Sequence, residues 1–425
     1  MNKIRARTYN LLRWSERYTK TDMIYLTKGG FWLTLNQVMS TLAGFILLVS
    51  FANLLPAETY GTYRYVLSIL GILVIGTFPG INTVAIKAVA EKDEYSFWKL
   101  LYKKSQFSLV GTLFCLLVSI YYFVNSNDIL FLSFAIATVG LPLVYSSGMY
   151  ESLLYGRKDF RRSAQFSILN KILVTLSLSI AVFLTDSILI LMLVYFIPET
   201  IVQSLLLLYL YKQRPKEKRS NSSNNLTKFG VHLSFMEILK TIASQIDKML
   251  VFHYLGAVQL AVYAIASTPP SQIKTLMQNL NIMALPKMST SNSNDLRETL
   301  PKKLLKLEVI IIGLIVVYWI VAPIIFPIFF PKYVEAILIS QVYALSLIFF
   351  PRTFLSTAMT AKLKQRELYF IRILAPTVRI VIFLIALPVW GIWGAVIGSI
   401  IGNALTAIIY SFFFFKAFPR ITAPL

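Results

Sequence analysis

Charged side chains interrupt a long apolar stretch of the sequence, residues 226–289. They are Glu237, Lys240, Asp247, Lys248 and Lys274. A charge at membrane depth is costly and usually faces a cavity, a partner or a pathway. Lysine and arginine pair well with phosphate, and the pairing offsets the desolvation of both groups. These residues therefore indicate an anion-binding function inside a membrane.

The charges of the first helix in this stretch share one face. At about 100° per residue, one stripe within roughly 100° of arc holds five residues. They are Glu237, Lys240, Thr241, Ser244 and Lys248, with Gln245 and Asp247 at the margins. Such a stripe predicts a wet, charged groove. The helix is predicted to meet a second one at a tight turn, Leu255-Gly256-Ala257.

The same stretch resembles a known family. The matching positions are Gly230, Gln245-Ile246-Asp247-Lys248, Leu255-Gly256, Val262-Tyr263-Ala264 and Pro286. Their order and spacing resemble the second-half signature of polysaccharide-biosynthesis flippases of the multidrug/oligosaccharidyl-lipid/polysaccharide exporter superfamily. The first half resembles the N-terminal signature of that family at Gly30, Gln37, residues 54–61 and Tyr65. The resemblance covers residues 28–415, and the predicted number of spans is similar to that of O-antigen and capsule-type members.

Composition places the chain in a membrane. Of 425 residues, 56% are hydrophobic and 14% charged, and the mean hydropathy is +0.67, too apolar for an ordinary soluble domain. The net charge of +22 would indicate nucleic acid in a soluble protein, but its distribution favours membrane topology instead. One cysteine, Cys115, and two histidines without ligand spacing predict no disulfide, no metal site and no cofactor.

Apolar runs of about 20 residues predict an all-α integral membrane protein with about twelve spanning helices. The predicted limits are 31–55, 62–86, 105–125, 129–155, 164–184, 187–211, 229–255, 258–285, 306–330, 334–361, 367–388 and 391–415. Prolines interrupt the second and eighth of these runs, and prolines commonly kink membrane helices.

Cations cluster in every second connection. The basic segments are the N-terminus, 87–104, 157–162, 212–228, 287–306, 362–366 and the C-terminal tail. The connections between them contain almost no cations. By the positive-inside rule, both termini are predicted to be cytoplasmic and the number of spans even.

An internal repeat divides the predicted spans into two halves. Identical residues recur at an offset of 200: 226 − 26 = 200 for Leu26 and Leu226, and likewise for Gly30 and Gly230 and for Tyr63 and Tyr263. Parallel six-helix repeats around a central cavity are expected to place the functional site between them. The predicted segments are a basic N-terminus 1–28, a first half 29–211, a linker 212–228, a second half 229–416 and a tail 417–425.

The resemblance implies a cavity lined by the first two helices of each half. The predicted substrate-binding residues, for diphosphate or sugar, are Arg64, Lys240, Lys248, Lys274, Gln37, Gln278 and Arg352. Glu237 and Asp247 are predicted to be coupling or structural carboxylates. The sequence leaves alternatives open. Glu237 and Lys240 could neutralise each other, Arg64 and Lys248 could snorkel, and Arg352 could form an interhelical pair.

Other intramembrane charges have no assigned role. They are Glu151, Lys171, Glu199, Arg372 and Arg379. Two groups of aromatic residues are interpreted as interfacial anchors rather than sugar-stacking platforms. They are Tyr145, Tyr150 and Tyr155 in the first half and Trp390 and Trp393 in the second.

The leading hypothesis is a flippase that moves an undecaprenyl-diphosphate-linked oligosaccharide between the leaflets of the bacterial cytoplasmic membrane by alternating access. The expected partners are this lipid-linked oligosaccharide, membrane lipids, and the polymerase and chain-length components of a glycan-assembly system, with no nucleic acid. No catalytic motif is found, so no enzymatic activity is predicted. The alternatives are a drug or cation antiporter of the same superfamily, a membrane-embedded glycan polymerase or glycosyltransferase, and a scaffold.

Overall fold

The computed structural model describes residues 23–214 and 223–419. Within these ranges every regular element is helical, and three short 3₁₀ segments separate some of the helices. The α-helices are α1 (Met23–Leu54), α2 (Ala57–Leu73), α3 (Gly80–Ala90), α4 (Glu94–Val124), α5 (Asp128–Ser147), α6 (Tyr150–Gly156), α7 (Phe160–Leu184), α8 (Ile188–Lys212), α9 (Ser223–Met236), α10 (Ile238–Thr290), α11 (Ser293–Phe329), α12 (Ala336–Ala344), α13 (Thr353–Ala361) and α14 (Gln365–Ala417). The predicted all-α class is confirmed.

Length and composition make this a multi-pass membrane protein. In the described part of the chain, nine helical segments are long and apolar enough to cross a bilayer, or ten if the bent pair of 57–77 and 80–90 forms one span. Their large apolar side chains point outwards, as lipid-facing residues do. Examples are Val124 (74% exposed), Phe183 (77%) and Val309 (68%).

Two glycines divide the longest helices. Gly256 in α10 has φ 81° and Gly391 in α14 has φ 57°, a region that only glycine adopts without strain. Each of these helices has 53 residues, or about 80 Å at 1.5 Å per residue, more than twice the hydrocarbon thickness. Each is therefore treated as two arms, 238–255 and 257–290 in α10, and 365–390 and 392–417 in α14. The count of twelve spans and the cytoplasmic termini stay predictions.

Several helices begin earlier than their apolar runs. α4 begins at Glu94 rather than 105, and α11 at Ser293 rather than 306. The predicted limits were wrong there because basic turns extend a helix into the headgroup region, where lysine and arginine can reach water. N-caps fix both starts. The carboxylate of Asp93 accepts from the Ser96 N–H at 3.0 Å, and Asn292 caps α11.

Other predicted spans are broken. The run 129–155 is divided between α5 and α6, and the run 334–361 contains a 3₁₀ segment from Leu345 to Arg352. The second run is divided at Pro79, as its proline indicated. Residues 1–22, 215–222 and 420–425, which include parts of the predicted N-terminus, linker and tail, lie outside the described residues.

Of the described residues, the first compact unit comprises 23–47, 76–184, 189–214 and 223–234. Its core contains Ile81, Phe97, Leu153 and Leu210. A two-pronged ion pair joins α4 to the turn after α6, where the Arg157 guanidinium donates to both Glu94 carboxylate oxygens at 2.7 Å. Cys115 is fully buried in α4, and its thiol is directed at the Phe134 carbonyl.

Of the described residues, the second compact unit comprises 48–75, 185–188 and 235–419. One of its apolar cores is formed by residues from α10, α11, α13 and α14. The unit also contains α2, which belongs to the first half of the sequence. The boundaries of the compact units differ from the predicted halves 29–211 and 229–416. The division of the chain at the linker therefore stays a prediction.

Candidate anion-binding site

Two lysines of the second unit interact with one carboxylate and with neighbouring arginines. Lys248 interacts electrostatically with Asp247, Arg64 and Arg379, and Lys274 interacts with Arg379, Asp247 and Lys248. We name these five residues the cationic cluster. They come from α2, from both arms of α10 and from the first arm of α14. With four positive charges and one negative, the formal charge of the cluster is +3.

The carboxylate of the cluster is buried and hydrogen-bonded within the protein. Asp247 is 5% exposed, and its Oδ2 accepts a hydrogen bond from the Tyr263 hydroxyl at 2.8 Å. Tyr343 lies beside the pair, its ring 6.1 Å from that of Tyr263. A carboxylate held in this way fixes the arrangement of the cations but cannot neutralise four of them. The excess positive charge makes the cluster suited to an anion from outside.

Buried polar atoms without partners lie in the same cluster. Among the described residues, Arg64 Nε, Arg379 Nε and Asp247 Oδ1 are buried and have no hydrogen-bond partner. Leaving a buried donor unsatisfied costs about 1–3 kcal/mol, more for a charged group. Two guanidinium donors without acceptors are therefore suited to oxygens that a ligand supplies.

Neighbouring side chains hold the cations in place. The Lys248 ammonium donates to Gln245 Oε1 at 2.9 Å, and Gln245 packs against Gly71, where an added Cβ would lie 3.1 Å from its Nε2. The Lys274 ammonium lies 5.8 Å from the centre of the Phe350 ring. The Arg379 guanidinium lies 5.6 Å from the Phe383 ring. Neither the neutral amide nor the aromatic faces supply a counter-charge, so all three cations remain available to an anion.

Close packing of α2 on α10 positions Arg64. A Cβ on Gly61 would lie 1.8 Å from the carbonyl oxygen of Ala257, so only glycine fits there. One turn further, the Tyr65 ring stacks on Phe252 at 3.7 Å between centroids. Arg64 lies between these two contacts, on the helix that they fix.

Lys240 is placed differently from the cluster lysines. Its ammonium is 2.8 Å from Glu237 Oε2, and its side chain is 73% exposed. On a helix, residues 240 and 247 are about 10 Å apart along the axis. The structure thus shows the ion pair between Lys240 and Glu237, which the sequence left as one alternative. The Lys240 side chain is exposed.

The remaining predicted ligands are dispersed. Gln278 is exposed, one turn beyond Lys274 on α10. Gln37 lies in the first unit, where its Nε2 donates to Thr41 Oγ1 at 3.4 Å. Arg379 was named in the sequence only as a deep cation without a role. The position of Arg379 within an apolar run indicates an intramembrane charge. It does not show which residues Arg379 interacts with, because those residues lie on other helices.

Arg352 forms an interhelical ion pair. Its guanidinium donates to Glu308 of α11 at 2.5 and 3.1 Å, and the two side chains are 23% and 14% exposed. The sequence left a cavity role and an interhelical pair open. The structure shows the pair, although 44 residues separate the two partners.

We expect Arg352→Met to lower the free energy of unfolding by about 2–4 kcal/mol, because it leaves Glu308 buried without its partner. The double variant Arg352→Met/Glu308→Leu should recover most of that loss, since both charges are then absent. Thermal unfolding of the purified variants in detergent measures both effects. Unchanged stability with lost transport would instead place Arg352 in substrate binding.

Comparisons with known proteins cover most of the chain. The family model described as polysaccharide biosynthesis protein matches residues 26–291. No curated protein sequence matches the chain.

Solved structures share the fold at low identity. The structure titled "Lipid II flippase MurJ, inward closed conformation" has 14% identity and a TM-score of 0.68, over 90% of this chain and 89% of that one. "MATE in complex with MaD5" has 13% identity and a TM-score of 0.64, over 92% and 95%. A MOP superfamily transporter from Pyrococcus furiosus, described as having a binding pocket of reverse polarity, has 13% identity and a TM-score of 0.62, over 92% of this chain and 95% of that one.

Proposed function

This chain belongs to the polysaccharide biosynthesis protein family, and we propose that it translocates a lipid-linked oligosaccharide across the bacterial cytoplasmic membrane. The observation that carries the proposal is the cationic cluster, with its formal charge of +3 and its two unpartnered arginine donors. A polyprenyl diphosphate supplies the two negative charges and the oxygen acceptors that the cluster lacks. The named function of a structural relative, a lipid II flippase, supports the same class of substrate.

We assign the diphosphate to Arg64, Lys248, Lys274 and Arg379. Arginine forms two parallel hydrogen bonds with phosphate, and lysine acts as a point charge beside it. Lys240, Gln37 and Gln278 are proposed to contact the sugars or to line their path. Arg352 and Glu308 support the helices that carry the cluster. The negative charge of Asp247 offsets part of the repulsion between the cations, and its bond to Tyr263 holds the carboxylate in place.

Transport by alternating access follows from the proposed substrate. The head group must cross a hydrocarbon layer about 30 Å thick, while its lipid tail can stay in the bilayer. A cationic site within the protein replaces the hydration of the phosphates during this passage. We propose the same pathway partners as the sequence indicated, namely a polymerase and chain-length components that receive the translocated unit.

The charge of the cluster distinguishes this proposal from a drug or cation antiporter. A cationic drug would be repelled by a site with a formal charge of +3 and would need a carboxylate-dominated one. The structural relatives are transporters rather than enzymes. This supports a transport function over a glycan polymerase.

A deletion strain tests the proposed function directly. We expect lipid-linked oligosaccharide to accumulate in the inner leaflet, where a membrane-impermeant glycan reagent cannot reach it. The intact gene should restore outer-leaflet labelling, and Lys274→Ala should not. Oligosaccharide that is already labelled outside but not polymerised would support the polymerase instead.

A further inference from the structure

A row of hydroxyl side chains follows one face of the short helix α13 in the second unit. Their spacing of three and four residues places them within about 100° of arc. The opposite face, which includes Phe354 and Met359, is buried in an apolar core. The hydroxyl residues themselves are half-buried or exposed. They are Thr353, Ser356, Thr357 and Thr360, and we name them the hydroxyl face.

An amide of α10 joins the hydroxyl face. Asn281 Nδ2 donates to Thr353 Oγ1 at 3.2 Å, and Thr357 Oγ1 donates to Asn281 Oδ1 at 2.6 Å. A side-chain amide has two N–H donors and two acceptor lone pairs. After these two bonds, Asn281 can still donate once and accept once. Its side chain is half-buried, so a ligand can reach it.

The hydroxyl face begins beside the cationic cluster. The Thr353 hydroxyl donates to the Phe350 carbonyl oxygen at 2.8 Å, and the ring of Phe350 lies 5.8 Å from the Lys274 ammonium. Seven residues separate Lys274 from Asn281, so both lie on the same side of α10, about 10 Å apart along its axis. This separation is comparable to the length of a disaccharide.

The hydroxyl face itself carries no charge. Arg352, just before it, is paired with Glu308. Lys362, just after it, donates to the Ser289 carbonyl oxygen at 3.0 Å. Residues 353–361 contain no ionisable side chain. Hydroxyls and amides both donate and accept, as sugar hydroxyls do, whereas a carboxylate on a sugar would find no counter-charge here.

Hydrogen bonding between helices is the alternative role for these groups, because serine, threonine and asparagine commonly join membrane helices. That role does not account for the accessible amides on this side of α10. Gln278 is exposed and Asn281 is half-buried. An amide left in hydrocarbon without a full set of partners is costly. These positions therefore favour a polar surface that a ligand can reach.

We propose that the hydroxyl face and Asn281 bind the sugars next to the diphosphate, and that these sugars are uncharged. The assignment rests on the proposed function, in which the cationic cluster holds the diphosphate at one end of this surface. A site that hydrogen-bonds a substrate hydroxyl discriminates strongly against a substrate without it. Thr357 and Asn281 thus contribute to the selection of the sugar, while Lys274 serves the carrier.

Binding to the purified full-length chain in detergent tests the assignment. The two probes are bare undecaprenyl diphosphate and the lipid-linked oligosaccharide extracted from the deletion strain. We expect the wild type to bind the oligosaccharide about tenfold or more tightly than the bare carrier, and Thr357→Val and Asn281→Ala to abolish this gain while binding the bare carrier within about twofold of the wild type.

Two further variants serve as controls. Thr357→Ser keeps the hydroxyl and should keep the gain from the sugars. Thr299→Val removes an exposed hydroxyl of α11 that donates to the Asp295 carbonyl oxygen of its own helix, and it should bind both probes as the wild type does.

Four results would overturn the assignment. If the wild type binds both probes equally, or if both Thr357→Val and Asn281→Ala keep the gain, the sugars lie elsewhere and the proposed function stands. If these variants also lose the bare carrier, the contact between Asn281 and Thr357 is structural only. A carboxylate on either of the two sugars next to the diphosphate, detected by mass spectrometry, excludes the uncharged class. A wild type that binds neither probe overturns the proposed function and this assignment with it.

Discussion

Lys274→Ala is expected to reduce oligosaccharide translocation by about 100-fold or more. Removing one partner of a desolvated charge pair costs about 2–5 kcal/mol, and each 1.4 kcal/mol is a factor of ten. This cost applies to Lys274 because the residue interacts with three other charges of the cationic cluster, and its ammonium lies 5.8 Å from the centre of the Phe350 ring. Outer-leaflet labelling of the oligosaccharide in complemented deletion strains measures the loss.

Two matched variants make this prediction specific. Lys274→Arg keeps the charge and should retain a substantial part of the activity. Lys240→Ala removes a lysine from the same helix α10, but one that is exposed and already paired with Glu237. We expect it to lose no more than about tenfold. Equal losses in Lys240→Ala and Lys274→Ala would contradict the assignment of the diphosphate to the cationic cluster.

Gly61→Ala is expected to disrupt the packing of α2 on α10. The added methyl group would lie 1.8 Å from the Ala257 carbonyl oxygen, and backbone cannot move aside as a flexible side chain can. Overpacking of this kind costs about 1–3 kcal/mol or more. Because Arg64 lies one turn away on α2, its guanidinium should be displaced from the cluster as well. We expect a lower unfolding temperature and reduced translocation together.

Gly313→Ala is the matched control for this change. Gly313 is also a helical glycine of the second unit, but an added Cβ there meets nothing within 4 Å. Alanine favours helix over glycine by about 1 kcal/mol, so this variant should be as stable as the wild type or more stable. If Gly61→Ala is also as stable as the wild type, the close packing of α2 on α10 is not needed to position Arg64 in the cationic cluster.

The helices were predictable because apolar runs and turn residues are local signals. The spans of 164–184 and 187–211 differ from α7 and α8 by only a few residues at either end. The early start of α4 was also visible, since Asp93 precedes the helix at a capping position with Ser96 three residues on. Apolar length alone cannot find such a start, because the first turns of α4 are polar.

The site was predictable only in part. The sequence predicts Arg64, Lys248 and Lys274 as site residues because each is a charge in an apolar run. A charge within a membrane is costly and therefore usually functional. It could not assign Arg379 to them or pair Arg352 with Glu308, because those contacts join helices that are far apart in the chain. It also placed Tyr150, which is 1% exposed, at the interface, since an aromatic residue near a span end has the same local pattern whether it is buried or anchored.

The burial of Cys115 has a practical consequence. It is the one cysteine of the chain, it is fully shielded, and its sulfur faces a backbone carbonyl inside the first unit. Water-soluble maleimides should therefore leave the native protein unlabelled. Thiols introduced at chosen positions along α2 and α10 would then report which side of the membrane reaches each residue, in a chain that retains every natural side chain elsewhere.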